Sequence, residues 1–372
     1  MNSVISSDGR YVTVSLITTV TNGPPFYWGS LITGYIYQYD NQNNTWTQLT
    51  PSQSYIPPYI YRVALKLSPA NNNTMFIGGM YLTTTTDGAS SWFQIGNDSH
   101  SDVRAIEFDP SDATGNTLFV GNDGGVSKAT IDLTNGSTWA SMNNGLAVST
   151  LFSLSSSALD AYQIIASMQD NGNNYLKSGN WTHLFDYGGD GYQSIMDSKD
   201  EDVFYTTDGS FIKPNLGNAN NPSFGYYGSI RPSGLSGNYG SIPLALNPLN
   251  PSSIYAAGGE LFKSTKGDAT TAGTWTQISN FAGNFPSNSS SIFRIAVAPS
   301  DTQTIYVSDF YGTHLFKTTV GGGTSSGNWT DITPTTGNPT GYTPGYVIAG
   351  LAVSTTDANR VWIGYSGWKR LQ

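Results

Sequence analysis

Short runs of apolar residues recur along the whole chain, and each run ends in a polar turn rich in Gly, Asn, Asp or Pro. Examples are VALKLSP at 63–69, MFIGG at 75–79 and RIAVAPSD at 294–301. Short runs of this kind, bounded by turn residues, are typical of β-strands. The chain is also rich in Gly, Asn, Ser and Thr, and it lacks the Ala, Glu, Lys and Leu bias of helices. The pattern therefore predicts an all-β fold.

A longer pattern groups these strands. A Trp followed three residues later by Leu, Ile or Met recurs after a polar turn, and successive copies mostly stand about 42 to 54 residues apart. The copies are Trp46–Leu49, Trp92–Ile95, Trp139–Met142, Trp181–Leu184, Trp275–Ile278 and Trp329–Ile332. Repeats of this size, built of strands, indicate the blades of a β-propeller. We expect Trp92 to open its outer strand as an apolar plug, buried between blades.

The repeat predicts a β-propeller of four-stranded blades, with seven blades and a partial eighth. The blades begin near Val4, Val63, Ala105, Phe152, Tyr192, Pro243 and Arg294, and the partial one occupies Ala349–Gly367. Blade five departs over Asn215–Ser241, where no Trp turn appears. We expect one domain over residues 1–372. Because the last blade shows only inner strands, we expect the natural polypeptide to continue beyond Gln372, or a flanking domain or protomer to meet the open edge.

Charge and composition narrow the range of partners. Charged residues make up 11% of the chain, the formal net charge is −9, and cysteine is absent. An acidic surface argues against nucleic acid and against anionic membranes, since both need clustered Lys or Arg. The sequence has no apolar run long enough for membrane insertion, and the start MNSVISSDGR does not resemble a signal peptide. Low charge with many Asn, Thr and Tyr residues favours an extracellular or cell-surface location.

The turn TTDGASSW at 85–92 carries the most specific chemistry of the repeat. Thr85 and Asp87 can direct side-chain oxygens onto the amides of the turn, and Gly88 relaxes its backbone. This turn, with FVGNDGGVSKA, ASMQDNGN, YGGDGYQSIMD and LALNPLNPSSIYAAGGELFKST, resembles the Asp-box (BNR-like) propellers of secreted bacterial proteins. Sortilin-type and xyloglucanase-type propellers, and more distantly the sialidases, are similar. The resemblance implies the fold but not the activity, because this repeat serves enzymes, receptors and adhesins alike.

Aromatic residues are concentrated in one class of loop. In a four-stranded blade, the loops after the second and fourth strands open on one face, and the other loops open on the opposite face. The first class holds NGPPFYWG, SQSYIPPYIY, DFYG and GYTPGY, whereas SPANNN and APSDTQ of the second class are polar and small. We call the first face the aromatic mouth. Its candidate ligand-binding rings are Phe26, Tyr27, Trp28, Tyr55, Tyr59, Tyr311, Tyr342 and Tyr346.

Carboxylates are expected at the same mouth. Asp123, Asp170, Asp208 and Asp309 follow predicted second strands, and Asp190 precedes a first strand. Aromatic rings interleaved with Asp and Asn, and few cations, suit a neutral hydroxyl-rich ligand, because rings stack on sugar faces and carboxylates accept hydroxyl protons. A simpler interpretation stays open for each residue: an Asp-Gly loop often caps its own turn, and the rings often pack against neighbouring loops.

Three functions remain open at this stage. The first is non-catalytic binding of a glycan or a glycosylated surface protein at the aromatic mouth. The second is a glycoside hydrolase of the xyloglucanase type; the resemblance implies a catalytic aspartate in a Thr-Asp-x-Gly-Gly motif, of which Asn122–Gly125 is a shortened version, with Asp123 and Asp190 as the acid/base pair. The third is a protein-binding adhesin or scaffold. Sialidase chemistry is disfavoured, because Ala296 follows Phe293-Arg294-Ile295 where a Pro is expected.

No cofactor or metal is expected. His100, His183 and His314 fall in different blades, and no metal-ligand spacing connects them. The loop aspartates lack the spacing of a calcium-binding loop. Among the rings, Trp28 is the best single probe of ligand binding, because Pro24 and Pro25 stiffen its loop.

Overall fold

The structure is a computed structural model of the chain. It describes residues 2–20, 31–49, 64–96, 100–146, 149–184, 189–201, 203–207, 212–216, 230–236, 242–264, 275–285, 291–309, 314–333 and 347–366. The chain divides into two units, Met1–Val148 and Ser149–Gln372. Each unit is described by itself below.

The first unit contains three antiparallel sheets of four strands, which follow one another along the chain. In each sheet the strands pair in chain order, so each blade-like sheet is a simple meander. The strands are β1 (Asn2–Ile5), β2 (Tyr11–Val20), β3 (Leu31–Asp40) and β4 (Thr45–Gln48); β5 (Ala64–Leu67), β6 (Met75–Gly78), β7 (Leu82–Thr85) and β8 (Phe93–Ile95); β9 (Ala105–Phe108), β10 (Thr117–Asn122), β11 (Gly125–Thr130) and β12 (Thr138–Ser141).

The second unit continues the series with sheets of four, three, four, four and two described strands. The strands are β13 (Leu151–Ser156), β14 (Ile164–Met168), β15 (Asn173–Lys177) and β16 (Asn180–Leu184); β17 (Gln193–Met196), β18 (Val203–Thr207) and β19 (Ile212–Leu216); β20 (Leu244–Leu246), β21 (Ile254–Ala257), β22 (Leu261–Ser264) and β23 (Trp275–Gln277); β24 (Ile292–Val297), β25 (Ile305–Asp309), β26 (Leu315–Thr318) and β27 (Thr330–Asp331); β28 (Val347–Val353) and β29 (Val361–Ser366). The order matches the predicted seven blades and partial eighth.

Helical structure is minor among the described residues. There is one α-helix, α1 (Phe281–Asn284), and one 3₁₀ turn, Ser326–Asn328. Neither has the length or the hydropathy of a membrane-spanning segment.

The apolar core lies between successive sheets rather than inside one layer. Within each unit, the first strands of neighbouring sheets pack side by side, as β1 does on β5 and β13 on β17. Each buried apolar cluster joins two consecutive sheets; for example, Tyr205 of β18 packs with Ile254 and Phe262 of the following sheet. This distribution explains how a long chain forms a core from strands of only a few residues.

Aromatic side chains on three second strands help to fix how the second and third strands pair. Phe119, Tyr255 and Tyr306 occupy the second or third position of β10, β21 and β25 and pair directly with a Lys of the third strand. The Nζ atoms of Lys128, Lys263 and Lys317 lie 5.4, 5.6 and 5.6 Å from the centroids of these rings. Such cross-strand pairs stabilise the sheet and fix its register.

The repeated Trp residues do not share one environment. Trp92 is 5% exposed and packs with Ile36 of the first sheet and Met75 of its own, which confirms its predicted burial between blades. Trp329 is buried as well, but Trp46 and Trp181 are exposed. The burial predicted for Trp92 therefore does not extend to these two copies. They lie on outermost strands, where one face of the strand meets solvent, and the ring of Trp46 lies near that of Tyr39, with centroids 5.1 Å apart.

Three first strands of the second unit carry a β-bulge at the same place. The register shifts between Leu151 and Ser153 in β13, between Ile292 and Arg294 in β24, and between Ile348 and Gly350 in β28. A bulge places an extra residue in one strand and changes the direction of its side chain. All three bulges lie near the start of the strand, beside the end of the second strand.

Candidate functional site

One cluster of the second unit brings two predicted site residues together. We define the Asp190 cluster as Phe152, Asp170, Asp190 and Tyr192. One oxygen of the Asp190 carboxylate, Oδ1, accepts a hydrogen bond from the backbone amide of Asp170 at 2.9 Å. The other oxygen, Oδ2, accepts one from the hydroxyl of Tyr192, also at 2.9 Å. Asp190 therefore joins the turn after β14 to the segment that leads into β17.

The backbone around this cluster is held closely. The amide of Gly172 donates to the carbonyl of Gly189, and the amide of Gly191 donates to the carbonyl of Met168, both at 2.9 Å. A Cβ atom on Gly191 would lie 2.4 Å from the carbonyl oxygen of Gly172, so only glycine fits there. Asp170 has a φ of 56°, in the left-handed region that Asp tolerates in turns. These contacts fix Asp190 relative to the turn that contains Asp170.

An aromatic pair lies next to the carboxylate. The rings of Phe152 and Tyr192 stack with centroids 5.7 Å apart and an interplanar angle of 6°. Phe152 is the extra residue of the β13 bulge and remains 46% exposed. Burial, and then the hydrogen bond to Asp190, raise the pKa of Tyr192 to about 12. Its hydroxyl therefore keeps its proton and donates to Asp190 at any ordinary pH.

Sequence reasoning did not select Phe152 or Tyr192 as site residues. Both were assigned to predicted first strands, where an aromatic residue is expected to be core. The available signal was the position of Tyr192 two residues after the Asp of GGDGY. The bulge that turns Phe152 outward has no signal in the sequence.

In the first unit, Asp123 is paired with an arginine. The guanidinium of Arg104 donates from Nε to Oδ1 at 2.9 Å and from Nη2 to Oδ2 at 2.7 Å. Asp123 lies in the turn between β10 and β11. This turn is capped by Asn122, whose Oδ1 accepts from the amide of Gly124 at 3.0 Å. Asn122 also donates to the carbonyl of His100, which ties the turn to the segment before β9. A bidentate pair of this kind fixes the plane of the carboxylate.

A second carboxylate lies beside this pair. An oxygen of Asp102 is within 4.8 Å of an oxygen of Asp123, and its Oδ2 lies 4.0 Å from Nη2 of Arg104. Burial and the negative charge of Asp123 raise the pKa of Asp102 above its ordinary value, against the opposing effect of Arg104. Two neighbouring carboxylates are thus placed in unlike environments, one paired with arginine and the other partly desolvated. Asp102 was not among the predicted site residues.

Asp309 lies at the end of β25 and is buried. Its Oδ1 accepts from the backbone amide of His314 at 3.1 Å, and its own amide donates to the carbonyl of His314. These bonds match the simpler interpretation, in which an Asp closes its own loop. His314 in turn bonds Asp331 at 2.8 Å and stacks on Phe316.

The remaining predicted site residues lie outside the described residues, so their roles stay predictions. They are Phe26, Tyr27, Trp28, Tyr55, Tyr59, Asp208, Tyr311, Tyr342 and Tyr346.

Solved structures of propellers resemble this chain. A xyloglucanase of glycoside hydrolase family 74 from Xanthomonas campestris is 12% identical over 95% of this chain and 51% of its own, with a TM-score of 0.50. The family 74 enzyme of Niastella koreensis is 15% identical over 96% of this chain and 44% of its own, with a TM-score of 0.48. The chain therefore spans about half the length of these enzymes. No protein-family model matches the chain, and no curated protein matches it significantly.

The chain has a β-propeller fold. At this identity the likeness extends to the fold alone. In a propeller blade, the loop after the second strand and the segment before the next first strand open on one face. The two kinds of segment meet within each unit, Arg104 with Asp123 in the first and Asp170 with Asp190 in the second. The predicted pair Asp123 and Asp190 is divided between the two units, and its acid/base role stays a prediction.

One exposed aromatic residue lies on the loop class that opens on the face opposite the aromatic mouth. The loop between β13 and β14 contains Tyr162, which is 74% exposed. Its amide bonds the carboxylate of Asp160, so the tight polar turn holds the ring outside the sheet.

Proposed function

We propose that this propeller binds a neutral glycan, free or on a glycosylated surface protein, at its aromatic mouth and does not catalyse its turnover. The observation that carries the proposal is the Asp190 cluster. Phe152 presents a flat apolar ring to solvent, and Tyr192 supports that ring by parallel stacking. Sugars bind to such rings through the C–H groups of one face, while nearby polar groups take up their hydroxyls.

The absence of basic residues from the segments around the Phe152 ring supports a neutral ligand. The three segments that build the cluster, 149–154, 167–173 and 189–194, contain no Lys or Arg. An anionic ligand would meet Asp170 and Asp190 without a cation from these segments. Gln169, exposed in the same turn, offers an amide that can both donate to and accept from hydroxyl groups.

The geometry of Asp190 supports binding without catalysis. A general acid or base must exchange a proton with its substrate. Both oxygens of Asp190 accept hydrogen bonds from the protein itself, so its evident task is to hold Tyr192 and the turn of Asp170. We further propose that the chain is an Asp-box propeller of the sortilin-like or xyloglucanase-like kind, located outside the cell or at its surface. The acidic, cation-poor composition supports this location.

Glycoside hydrolysis is the second candidate, and Asp102 with Asp123 favours it. Glycosidases use two carboxylates, one of which has a raised pKa and donates a proton. Asp102 has the raised pKa, and Asp123 is held by Arg104. If the chain is an enzyme, we expect Asp123 to belong to its catalytic set, with Asp102 as its partner within the first unit.

The two candidates are separated by one experiment. The chain is applied to an array of neutral and acidic glycans, and the same preparation is tested for release of reducing sugar from plant and bacterial polysaccharides. We expect binding to neutral glycans and no release. Phe152→Leu should weaken the array signal at least several-fold, because stacking contributes about 1–3 kcal/mol per ring by analogy with nucleobases.

Tyr162→Leu is the matched control. It removes an exposed ring from the opposite end of the same sheet and should leave the array signal unchanged. Absence of binding to every glycan contradicts the proposal. Sugar release that is lost in both Asp102→Asn and Asp123→Asn would instead establish the hydrolase, and binding to protein partners stripped of glycan would establish the adhesin or scaffold.

A further inference from the structure

The bulge of β13 has a counterpart three sheets further along the second unit. In β13, Leu151 lies opposite Met168 at the end of β14, and Phe152 is the extra residue. In β24, Ile292 lies opposite Asp309 at the end of β25, and Phe293 is the extra residue. The bulge therefore occurs at the same step of the blade and carries the same residue type. The third bulge, in β28, has Ala349 at this step and no ring.

The two rings are also supported in a similar way. Phe152 lies against the flat ring of Tyr192. Phe293 lies against the flat guanidinium of Arg294, whose Cζ is 3.8 Å from the ring centroid. Nη1 of Arg294 donates to the carbonyl of Phe293 at 3.1 Å, which holds the two groups together. A planar group behind each ring reduces its rotation and lowers the ordering cost of binding.

The surroundings of Phe293 differ from those of a core residue. The side chain is only half-buried, whereas the preceding Ile292 is buried in the cluster between the sixth and seventh sheets. Adjacent residues of a regular strand point to opposite faces. At a bulge this alternation is interrupted, so the register of the strand does not place Phe293 in the packed cluster that holds Ile292.

We propose that Phe293 forms a second sugar-stacking subsite of the propeller, equivalent to that of Phe152. The subsite takes one ring of a neutral, hydroxyl-rich glycan. This inference rests on the proposed function and extends it: the glycan is bound at two places of the aromatic mouth, so oligosaccharides and multivalent glycans are preferred over single sugars.

The test uses the full chain and the neutral oligosaccharide that gives the strongest array signal, in an affinity titration. Phe152→Leu and Phe293→Leu should each weaken binding about five- to hundredfold, the range that one stacked ring supplies. The double variant should bind no more than background. Phe293→Tyr keeps the ring and should retain affinity, which separates loss of stacking from loss of the bulge. Tyr162→Leu is again the control, and thermal unfolding verifies the fold of each variant.

The outcomes distinguish this inference from the proposed function. Loss of binding in Phe152→Leu with unchanged affinity in Phe293→Leu overturns the second subsite and leaves the proposed function intact. Loss in Phe293→Leu alone supports the Phe293 subsite and removes the Asp190 cluster as the basis of binding. Equal loss in Phe293→Leu and Phe293→Tyr shows a structural role and overturns the subsite. Absence of any glycan ligand overturns both.

Discussion

Two turns of this propeller each join a third strand to a fourth strand, but they are closed by different residues. The turn of 85–92 joins β7 to β8 in the first unit, and the turn of 318–329 joins β26 to β27 in the second. Each begins with a buried Thr whose Oγ1 accepts from the amides two and four residues later. The distances are 3.4 and 3.1 Å for Thr85 and 3.3 and 3.2 Å for Thr318. The threonine hydroxyl is therefore the common anchor.

The rest of each turn is closed by different chemistry. In the first, the carboxylate of Asp87 accepts from the amide of Ser91 at 3.0 Å and from its hydroxyl at 2.6 Å. In the second, Val320 occupies the place of Asp87, and Asn328 accepts from the amide of Ser325 at 3.0 Å. Gly321, Gly322 and Gly323 supply three consecutive left-handed φ angles. A carboxylate is thus one of two ways to close this turn, and the glycine-rich form needs no charge.

Both turns lead to a buried Trp, but the indole groups differ. Nε1 of Trp329 donates to the carbonyl of Ile278 at 2.9 Å. Nε1 of Trp92 is buried, and no partner for it is found among the described residues. The second turn therefore fixes its Trp by packing and by a hydrogen bond, whereas the first fixes it by packing.

The largest effect on stability is expected from removing the side chains of Trp92 and Trp329. Trp92→Ala should lower the free energy of unfolding by about 3–5 kcal/mol, because it opens a cavity between two sheets. Trp329→Ala should cost about 1 kcal/mol more, because it also removes a hydrogen bond. Denaturant titration measures both. Trp181→Ala, at an exposed copy, is the control and should stay within about 0.5 kcal/mol of the unmodified chain. An equally mild effect of Trp92→Ala would remove the basis of its assignment to the core.

The second-largest effect is expected from removing the threonine hydroxyl that anchors both turns. Thr85→Val and Thr318→Val keep the side-chain shape but remove the acceptor for two amides in each turn. Each should cost about 1–3 kcal/mol, the range for leaving buried donors unsatisfied. Both hydroxyls accept from two amides, but that of Thr85 also donates to Oδ1 of Asp87 at 2.8 Å, so equilibrium unfolding should show a cost at Thr85 equal to or larger than that at Thr318. A large cost at Thr85 with none at Thr318 would mean that Asp87, rather than the hydroxyl, is the essential partner.

Lowering the pH should weaken the contribution of the first turn, which contains Asp87, and leave that of the uncharged second turn unchanged. Hydrogen bonds from Ser91, first through its hydroxyl and then through its amide, lower the pKa of Asp87 to about 2. A lowered pKa in the folded state stabilises the fold above the ordinary value near 3.8, and this contribution is lost as the pH falls toward 2. The difference in Tm between the unmodified chain and Asp87→Asn should therefore be constant above pH ~4 and shrink below it. Val320→Ala, in the uncharged turn, should show a difference independent of pH.

The smallest effect is expected from transplanting the carboxylate. Val320→Asp places an acidic residue two positions after Thr318, as in the first turn. Val320 is exposed, and Asn328 already closes this turn, so the free energy of unfolding should change by less than about 0.5 kcal/mol. A clear gain would show that the glycine-rich closure is incomplete. A clear loss would show that the two turns differ more in backbone than their shared anchor indicates.

The sequence by itself determined the strands and their grouping into sheets. Predicted blade starts at Val63, Ala105 and Phe152 lie within one residue of the strand starts Ala64, Ala105 and Leu151. These features depend on local causes: apolar runs form strands, and Asp, Asn and Gly close the turns between them. Apolar runs alone predict shorter second and third strands for the first sheet, over Tyr11–Leu16 and Tyr35–Tyr39. The observed pair runs Tyr11–Val20 and Leu31–Asp40, because ladder hydrogen bonds extend a hairpin beyond its apolar run.

Tertiary structure alone decided the candidate site. Asp190 stood out in the sequence, and its bond to Tyr192 is local, but its bond to the amide of Asp170 requires two consecutive blades to pack side by side. The stacking of Phe152 on Tyr192 requires the same packing and also a bulge in β13. Side-chain patterns reveal which face of a strand is buried, but one extra residue in the ladder reverses that assignment. The register of one strand on its neighbour is a long-range property, and here it determines which rings reach the mouth of the propeller.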